Sequence, residues 1–344
     1  MTTLARLRIA FIPRTDGLVR ARSREFTGEV EFDIASPPPR SGDFGDYLRG
    51  CAVVLSEQFP LSIGCDALVE GDLMPGGVSS SAALACAWLA VLLDLHGLDL
   101  SRRDRIRVVV EAERRYAGVE VGILDPTVIL SGGPRKIVYI DCLDGVPKAY
   151  PIGKKCPPFD ALILDSGVDR DLRESPYNLR VEECRSAARA LGATGDPPVL
   201  RSIGYEEFRR KRSGLDPTAA KRVDHVLSEN KRVKHGLSCF AQGDLAGLGA
   251  LMNQSGRSMV DFFGAGTPET TFLLDELQRD ASVIGATLAG AGFGGGMLAF
   301  IQLGSAGELE KRIRPLYASK FPDAARRMTF TVVSLGGQSK IDIG

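Results

Sequence analysis

Residues 73–84, LMPGGVSSSAAL, set two glycines and three serines side by side with no charge among them. The run AALACAWLAVLLDL that follows Ser81 is apolar on every side as far as Asp94, the pattern of a helix buried all round. The serines therefore stand at a helix N-terminus. There, unpaired N–H groups and the positive end of the helix dipole attract anions, and glycines let a ligand approach the backbone closely. Gly76, Gly77, Ser79, Ser80 and Ser81 make a candidate phosphate cradle, whose hydroxyls could also reach a phosphate-bound Mg²⁺. Capping alone would account for one serine and one glycine.

A second chemical position lies in SRRDRIRVVVEAERRYAG, residues 101–118, which opens with a Ser/Asp cap and closes on glycine. Ile106, Val109, Val110 and Glu113 fall at i, i+3, i+4 and i+7, so a carboxylate shares the apolar face of the helix. A buried carboxylate is costly unless a cation or donors satisfy it. The two readings are an internal salt bridge and a Mg²⁺ ligand, an ion that favours one or two carboxylates plus phosphate oxygens. Further on, VGILDPTVIL holds one acid, Asp125, between apolar neighbours. It could cap the turn before Pro126, or be a base facing a substrate hydroxyl.

The third cluster is LAGAGFGGGMLAF, residues 288–300. Gly290, Gly292 and Gly295 spell GxGxxG, but MLAFIQL continues as a strand where a dinucleotide-binding fingerprint requires a helix. A glycine-rich turn between strands suits close approach to a ligand or another segment. Protein-kinase and Walker A motifs are absent from the sequence.

These positions need elements to hold them. Strand patterns recur between helical ones, in GEVEFDI (28–34), KIVYIDC (136–142), DALILDSGV (160–168), GMLAFIQL (296–303) and MTFTVVSL (328–335), which gives an α+β or α/β chain. At 344 residues the chain is long enough for two domains, and YPIGKKCPPFD (150–160) is the best junction, dividing it into 1–157 and 158–344. Lys and Arg balance Asp and Glu at 43 each, so nothing in the net charge favours nucleic acid or a membrane surface. Seven cysteines without a CxxC pair suit a reducing cytoplasm, and three scattered histidines argue against a histidine metal site. No signal-like or membrane-spanning run stands out, so the expected setting is cytoplasmic.

In this order, PGGVSSSAAL, AERRYAGVEVGILDPTVIL…YIDC and GAGFGGGMLAF resemble the three motifs of the GHMP sugar and metabolite kinases, in their galactokinase branch. LDSGVDRDLRESPYNLRVEECRSAARALG and LMNQSGRSMVDFFGAGTPE extend the resemblance, which covers about residues 20 to 340. RSREFTGEVEFDI, SPYNLRVEEC, AKRVDHVLSENKRV and GILDPTVILSGG look most similar to galacturonokinase. The resemblance implies a two-domain GHMP-kinase fold with the ligand cleft between the domains, and ATP- and Mg²⁺-dependent phosphorylation of a sugar C1 hydroxyl, galacturonate or galactose. It implies Gly76, Gly77, Ser79, Ser80 and Ser81 around the nucleotide phosphates, Ser81 and Glu113 on Mg²⁺, and Asp125 as catalytic acid/base. It also implies Tyr177 at the sugar and Gly290, Gly292 and Gly294 in the turn near the phosphates.

Two departures from the family pattern stand in the sequence. Pro126 follows Asp125 where galactokinases usually have glutamine, and nothing before Arg20 matches the sugar-binding pattern G-R-x-N-x-x-G-E-H-x-D-Y. A truncated or divergent N-terminus is the expectation, and a non-catalytic nucleotide or sugar sensor is the alternative to a kinase. If the sugar is a uronate, its carboxylate needs a cation or several N–H donors. Arg180 is a candidate, against pairing with Glu182 or Glu183.

Overall fold

The structure, a computed structural model, describes residues 6–24, 28–71, 79–118, 120–133, 136–168 and 176–333. In the first half, strands β1 (Leu7–Arg14), β2 (Leu18–Ser23), β3 (Glu29–Asp33) and β4 (Gly64–Gly71) form a sheet in the order β1-β4-β2-β3. β1/β4 and β2/β3 are antiparallel and β2/β4 parallel. Strict alternation on β2 and β3 turns Val19, Ala21, Val30 and Phe32 inward and leaves Arg20, Glu29 and Glu31 in solvent. Helices α1 (Gly45–Ser56), α2 (Ser80–Leu95) and α3 (Arg102–Ala112) cover the inner face in one continuous core. α2 runs through the middle of it with Trp88, Leu89 and Leu92 fully buried, as its all-round apolar sequence requires.

α3 is capped as its sequence predicts, for Ser101 Oγ accepts the Asp104 N–H at 3.2 Å. Its end differs from a plain α-helix. Residues Glu113–Ala117 form a π turn that closes on Gly118 at φ 70°. A short helix α4 (Leu124–Ser131) follows, then a hairpin of β5 (Lys136–Ile140) and β6 (Pro147–Pro151).

The second half is built on β7 (Phe159–Asp165), β8 (Val283–Leu288), β9 (Gly296–Gln302) and β10 (Thr329–Val333), all antiparallel in the order β10-β7-β9-β8. Its sequence has the continuous apolar runs of strands covered on both faces. On β7, Leu162 and Leu164 enter one core while Ala161 and Ile163 enter another. α9 (Pro268–Arg279) and α10 (Ala306–Lys320) cover the first face, and α8 (Leu245–Ser258) covers the second. α5 (Tyr177–Ala190), α6 (Tyr205–Lys211) and α7 (Pro217–Gln242) make a smaller cluster around Phe208 and Val223, and a short α11 (Pro322–Ala325) follows α10. A second π turn, Met259–Phe263, extends α8 and ends on Gly264 at φ 67°.

No helix among the described residues is long and apolar enough to cross a membrane. The two halves meet where Arg201 pairs with Asp141 at 2.6 Å and where α5 docks on residue 120. Tyr177 Oη donates to the Glu120 carbonyl at 3.3 Å, and Arg185 pairs with the Glu120 carboxylate at 3.0 Å.

Candidate active site

The helix that the serine run predicts begins at Ser80. Ser80 and Ser81 form its first turn, where backbone N–H groups have no intrahelical acceptor. Ser79 precedes it in the left-handed region, φ 67°, ψ 37°, a conformation that costs a non-glycine residue about 1–2 kcal/mol. Its side chain makes no capping bond and instead donates to the carboxylate of Asp125. Capping thus leaves Ser79 unexplained, whereas the bond to Asp125 gives the left-handed turn a purpose. Gly76 and Gly77 lie outside the described residues.

Glu113 is 6% exposed and sits at the C-terminal end of α3, the negative end of the helix dipole. Burial, and then the charge of Asp125, push its carboxyl from 4.5 up to about 7. Among the described residues no cation or hydrogen-bond donor pairs with it. The salt-bridge reading therefore finds no partner.

Asp125 lies in the first turn of α4, where the helix dipole favours its ionised form. Burial raises its pKa and the Ser79 hydroxyl lowers it, with burial the larger effect. Its own turn starts from Ile123, so the acid points across to α2 rather than capping α4. Both carboxylates act on one buried thiol, Cys86 of α2, raising its pKa beyond the effect of burial, so the two acids converge on the same stretch of that helix.

Tyr177, the first residue of α5, approaches from the other half of the molecule. Burial, and after it the charge of Asp125, raise its hydroxyl, while the charge of Arg114 lowers it. Arg114 is held by the Val121 carbonyl at 3.1 Å and pairs with Glu111 at 3.4 Å. Arg180 is not free for a ligand carboxylate. It pairs with Glu183 at 2.8 Å and donates to the Phe263 carbonyl at 2.9 Å.

The third motif is a turn between β8 and β9, as its strand context predicts. Gly290, Gly292, Gly294 and Gly295 all have positive φ, as does Phe293 between them at 57°. Gly292 must be glycine, because a Cβ there would stand 2.5 Å from the Ala265 carbonyl oxygen. Phe293 N–H donates to that same carbonyl at 2.6 Å, and the Arg180 guanidinium lies 6.0 Å from the centre of the Phe293 ring. One line of neighbours thus runs from Ser79 through Asp125, Tyr177 and the rest of α5 to the glycine turn.

The donor set suits a hard divalent cation. Two converging carboxylates, buried Glu113 and half-buried Asp125, repel one another, and the remaining groups are serine oxygens at a helix N-terminus. Nothing of softer chemistry competes, because Cys86 is held as a neutral thiol by its burial. A separate cavity of about 650 Å³ beside α7 and α8 has its arginines already neutralised, Arg232 by Glu229 and Arg257 by Asp275.

Four contributors escape a reading of the sequence. Cys86 is one apolar residue among many, and the Glu120 and Ala265 carbonyls are backbone atoms. Phe293 carried the only signal, as the one aromatic inside a run of glycines.

Comparison with known proteins gives two family matches, the GHMP kinases N terminal domain over residues 46–133 and the GHMP kinases C terminal domain over residues 237–318. The galactokinase of Lactococcus lactis subsp. lactis (strain IL1403) is 31% identical over 349 aligned positions, which cover 99% of this chain and 85% of that protein. The galacturonokinase of Arabidopsis thaliana is 32% identical, with 95% of this chain and 83% of that protein aligned. The crystal structure of Lactococcus lactis galactokinase complexed with galactose superposes with a TM-score of 0.89 at 28% identity, covering 98% of this chain and 87% of the other.

Proposed function

This chain belongs to the GHMP kinase family, alongside its galactokinases and galacturonokinases, and from that premise we propose that it phosphorylates the C1 hydroxyl of galactose or galacturonate with Mg·ATP. The observation that carries the reading is the pair of carboxylates, buried Glu113 and half-buried Asp125, which find no cation among the described residues and meet near the serine-bearing end of α2.

In this reading the N-terminus of α2, with Gly76, Gly77, Ser79, Ser80 and Ser81, receives the nucleotide phosphates through backbone N–H groups and hydroxyls. Gly290, Gly292 and Gly294 let the opposite turn approach the same phosphates without side-chain obstruction. Glu113 and Ser81 would hold Mg²⁺, which supplies charge neutralisation at the transferring phosphoryl group. Tyr177 orients the sugar, and Asp125 accepts the C1 hydroxyl proton as that oxygen bonds to the γ-phosphorus and the bond to the ADP oxygen breaks. The Ser79 hydrogen bond keeps Asp125 more acidic than burial alone would, which favours the ionised form that a base requires. Most of the acceleration comes from positioning the two reactants.

The N-terminal domain ends near residue 157 and the C-terminal domain begins near 158. In support, the core clusters draw on one side of that point only, apart from Cys156 beside it. All seven cysteines are free thiols, which fits a cytoplasmic setting.

The test is a coupled assay with Mg·ATP and galactose, galacturonate, glucuronate or arabinose, with the sugar phosphate identified by ³¹P NMR. Formation of a C1 phosphate on a galacto-configured sugar is expected. Nucleotide binding without turnover of any of the four would instead favour the sensor.

A further inference from the structure

Three side chains outside the proposed ligand contacts join the sugar-side helix to the nucleotide-side turn. Glu183 of α5 accepts from two arginines, Arg180 of the same helix at 2.8 Å and Arg222 of α7 at 2.7 Å. Each arginine has a second task. Arg180 Nε donates to the Phe263 carbonyl at 2.9 Å and Arg222 donates to the Phe262 carbonyl at 2.5 Å. Those are the last two carbonyls of the π turn Met259–Phe263, and carbonyls at a helix end lack acceptor-satisfying partners of their own. Arg222 is buried, so its alignment is fixed by packing as well as by hydrogen bonds.

The braced backbone leads directly to the glycine-rich turn. After Phe263, Gly264 takes φ 67° with both guanidinium groups around it, and a Cβ there would lie 3.3 Å from Arg222 Nη1. Ala265 follows, fully buried, and its carbonyl accepts the Phe293 N–H at 2.6 Å. Phe293 is a non-glycine residue at positive φ, a conformation that persists only when its surroundings hold it. Arg180 also stands over the Phe293 ring.

We propose that Glu183, through Arg180 and Arg222, is a positioning residue that fixes the Ala265 carbonyl and thereby holds the glycine-rich turn in its ligand-receiving conformation. The brace rests on α5, the helix that begins with Tyr177, so the element facing the sugar also sets the turn facing the nucleotide. The consequence for catalysis rests on the proposed nucleotide role of Gly290–Gly294. The mechanical link does not.

Glu183→Gln keeps the shape of the side chain but removes the charge that aligns both arginines. The first readout is hydrogen exchange at the Phe293 amide without nucleotide, compared with Leu298 in β9 as an internal reference. Exchange at Phe293 is expected to quicken about tenfold or more in the variant while Leu298 holds its protection. Unchanged protection at Phe293 would overturn the brace, whatever the activity. The second readout is steady-state kinetics, where KM for ATP should rise several-fold and KM for the sugar should stay within about twofold. Equal rises in both, or none, would overturn the positioning role. Arg222→Lys retains charge but lacks the fork that reaches Glu183 and Phe262 together, so it should reproduce the loss rather than rescue it. Failure of the kinase reading is separate, seen as no Mg·ATP-dependent phosphorylation by the unaltered protein.

Discussion

The Ser79 hydroxyl donates to the Asp125 carboxylate, tying the residue that opens α2 to the first turn of α4. The bond opposes the effect of burial and lowers the pKa of Asp125. Ser79→Ala should therefore move the acidic limb of kcat/KM to higher pH, because the base then becomes harder to ionise. The loss of rate should be largest on the acidic side and shrink as pH rises. Ser79→Gly also loses the bond but relieves the left-handed strain, so it should match Ser79→Ala in the pH profile while melting at higher temperature. An unshifted profile in both variants would remove Asp125 from the role of base.

Asp125→Asn preserves volume but cannot accept a proton. kcat should fall by about 10²–10⁴ with nucleotide affinity nearly unchanged, measured by single-turnover phosphoryl transfer and by a nucleotide titration. Comparable loss of nucleotide affinity would move Asp125 out of the base role and into nucleotide binding.

Glu113 makes stability depend on pH in a stated direction. Its folded-state pKa, about 7, exceeds the ordinary 4.5, so between those values the folded protein holds a proton that the unfolded chain has released. The stability of the metal-free protein should accordingly fall as pH rises through that window, by ~3 kcal/mol in total, and Glu113→Gln should flatten the slope. Mg²⁺ needs the ionised carboxylate, so affinity for Mg·nucleotide should rise from about pH 6 to about pH 8 in the unaltered protein. Urea midpoints across pH, with and without Mg·nucleotide, check both signs. Glu113→Gln should also lower kcat by about 10²–10³.

Gly292→Ala forces a left-handed residue against the Ala265 carbonyl, 2.5 Å from the new Cβ. Backbone strain alone should cost about 1–2 kcal/mol, and displacement of the carbonyl adds to it. Thermal unfolding and KM for ATP should both worsen. A variant of ordinary stability with unchanged KM would show that the turn does not bear on the nucleotide.

For the choice between sugars, Arg180 is committed to Glu183, while the charge of Arg114 reaches the Tyr177 hydroxyl. Arg114→Met should lower kcat/KM for galacturonate by about tenfold or more and that for galactose far less, because only the uronate brings a carboxylate that needs a cation. Equal losses on both sugars would assign Arg114 a structural role through Glu111 and Val121.

The features readable from residue order are mostly local. The cap at Ser101, the apolar spacing of Ile106, Val109, Val110 and Glu113 and the stop at Gly118 follow from contacts within one helix, so α3 and the face carrying Glu113 were legible. The same holds for α2, whose composition admits no solvent-facing side before Asp94, and for β9, whose strand pattern excluded a dinucleotide fold. The π turn at Glu113 was not legible, since its periodicity differs from an α-helix by a single residue per turn. Tertiary structure decided the matters that depend on distant partners. Whether Glu113 was half of a salt bridge depended on the absence of a nearby cation among the described residues. Whether Asp125 capped its own turn depended on Ser79, a residue far away in the chain. The fate of Arg180 depended on Glu183 one turn ahead and on a carbonyl at the end of α8, an ambiguity that spacing alone left open. Charge compensation and hydrogen bonding act over a few ångströms in space, and only the packed chain defines which groups lie within that range.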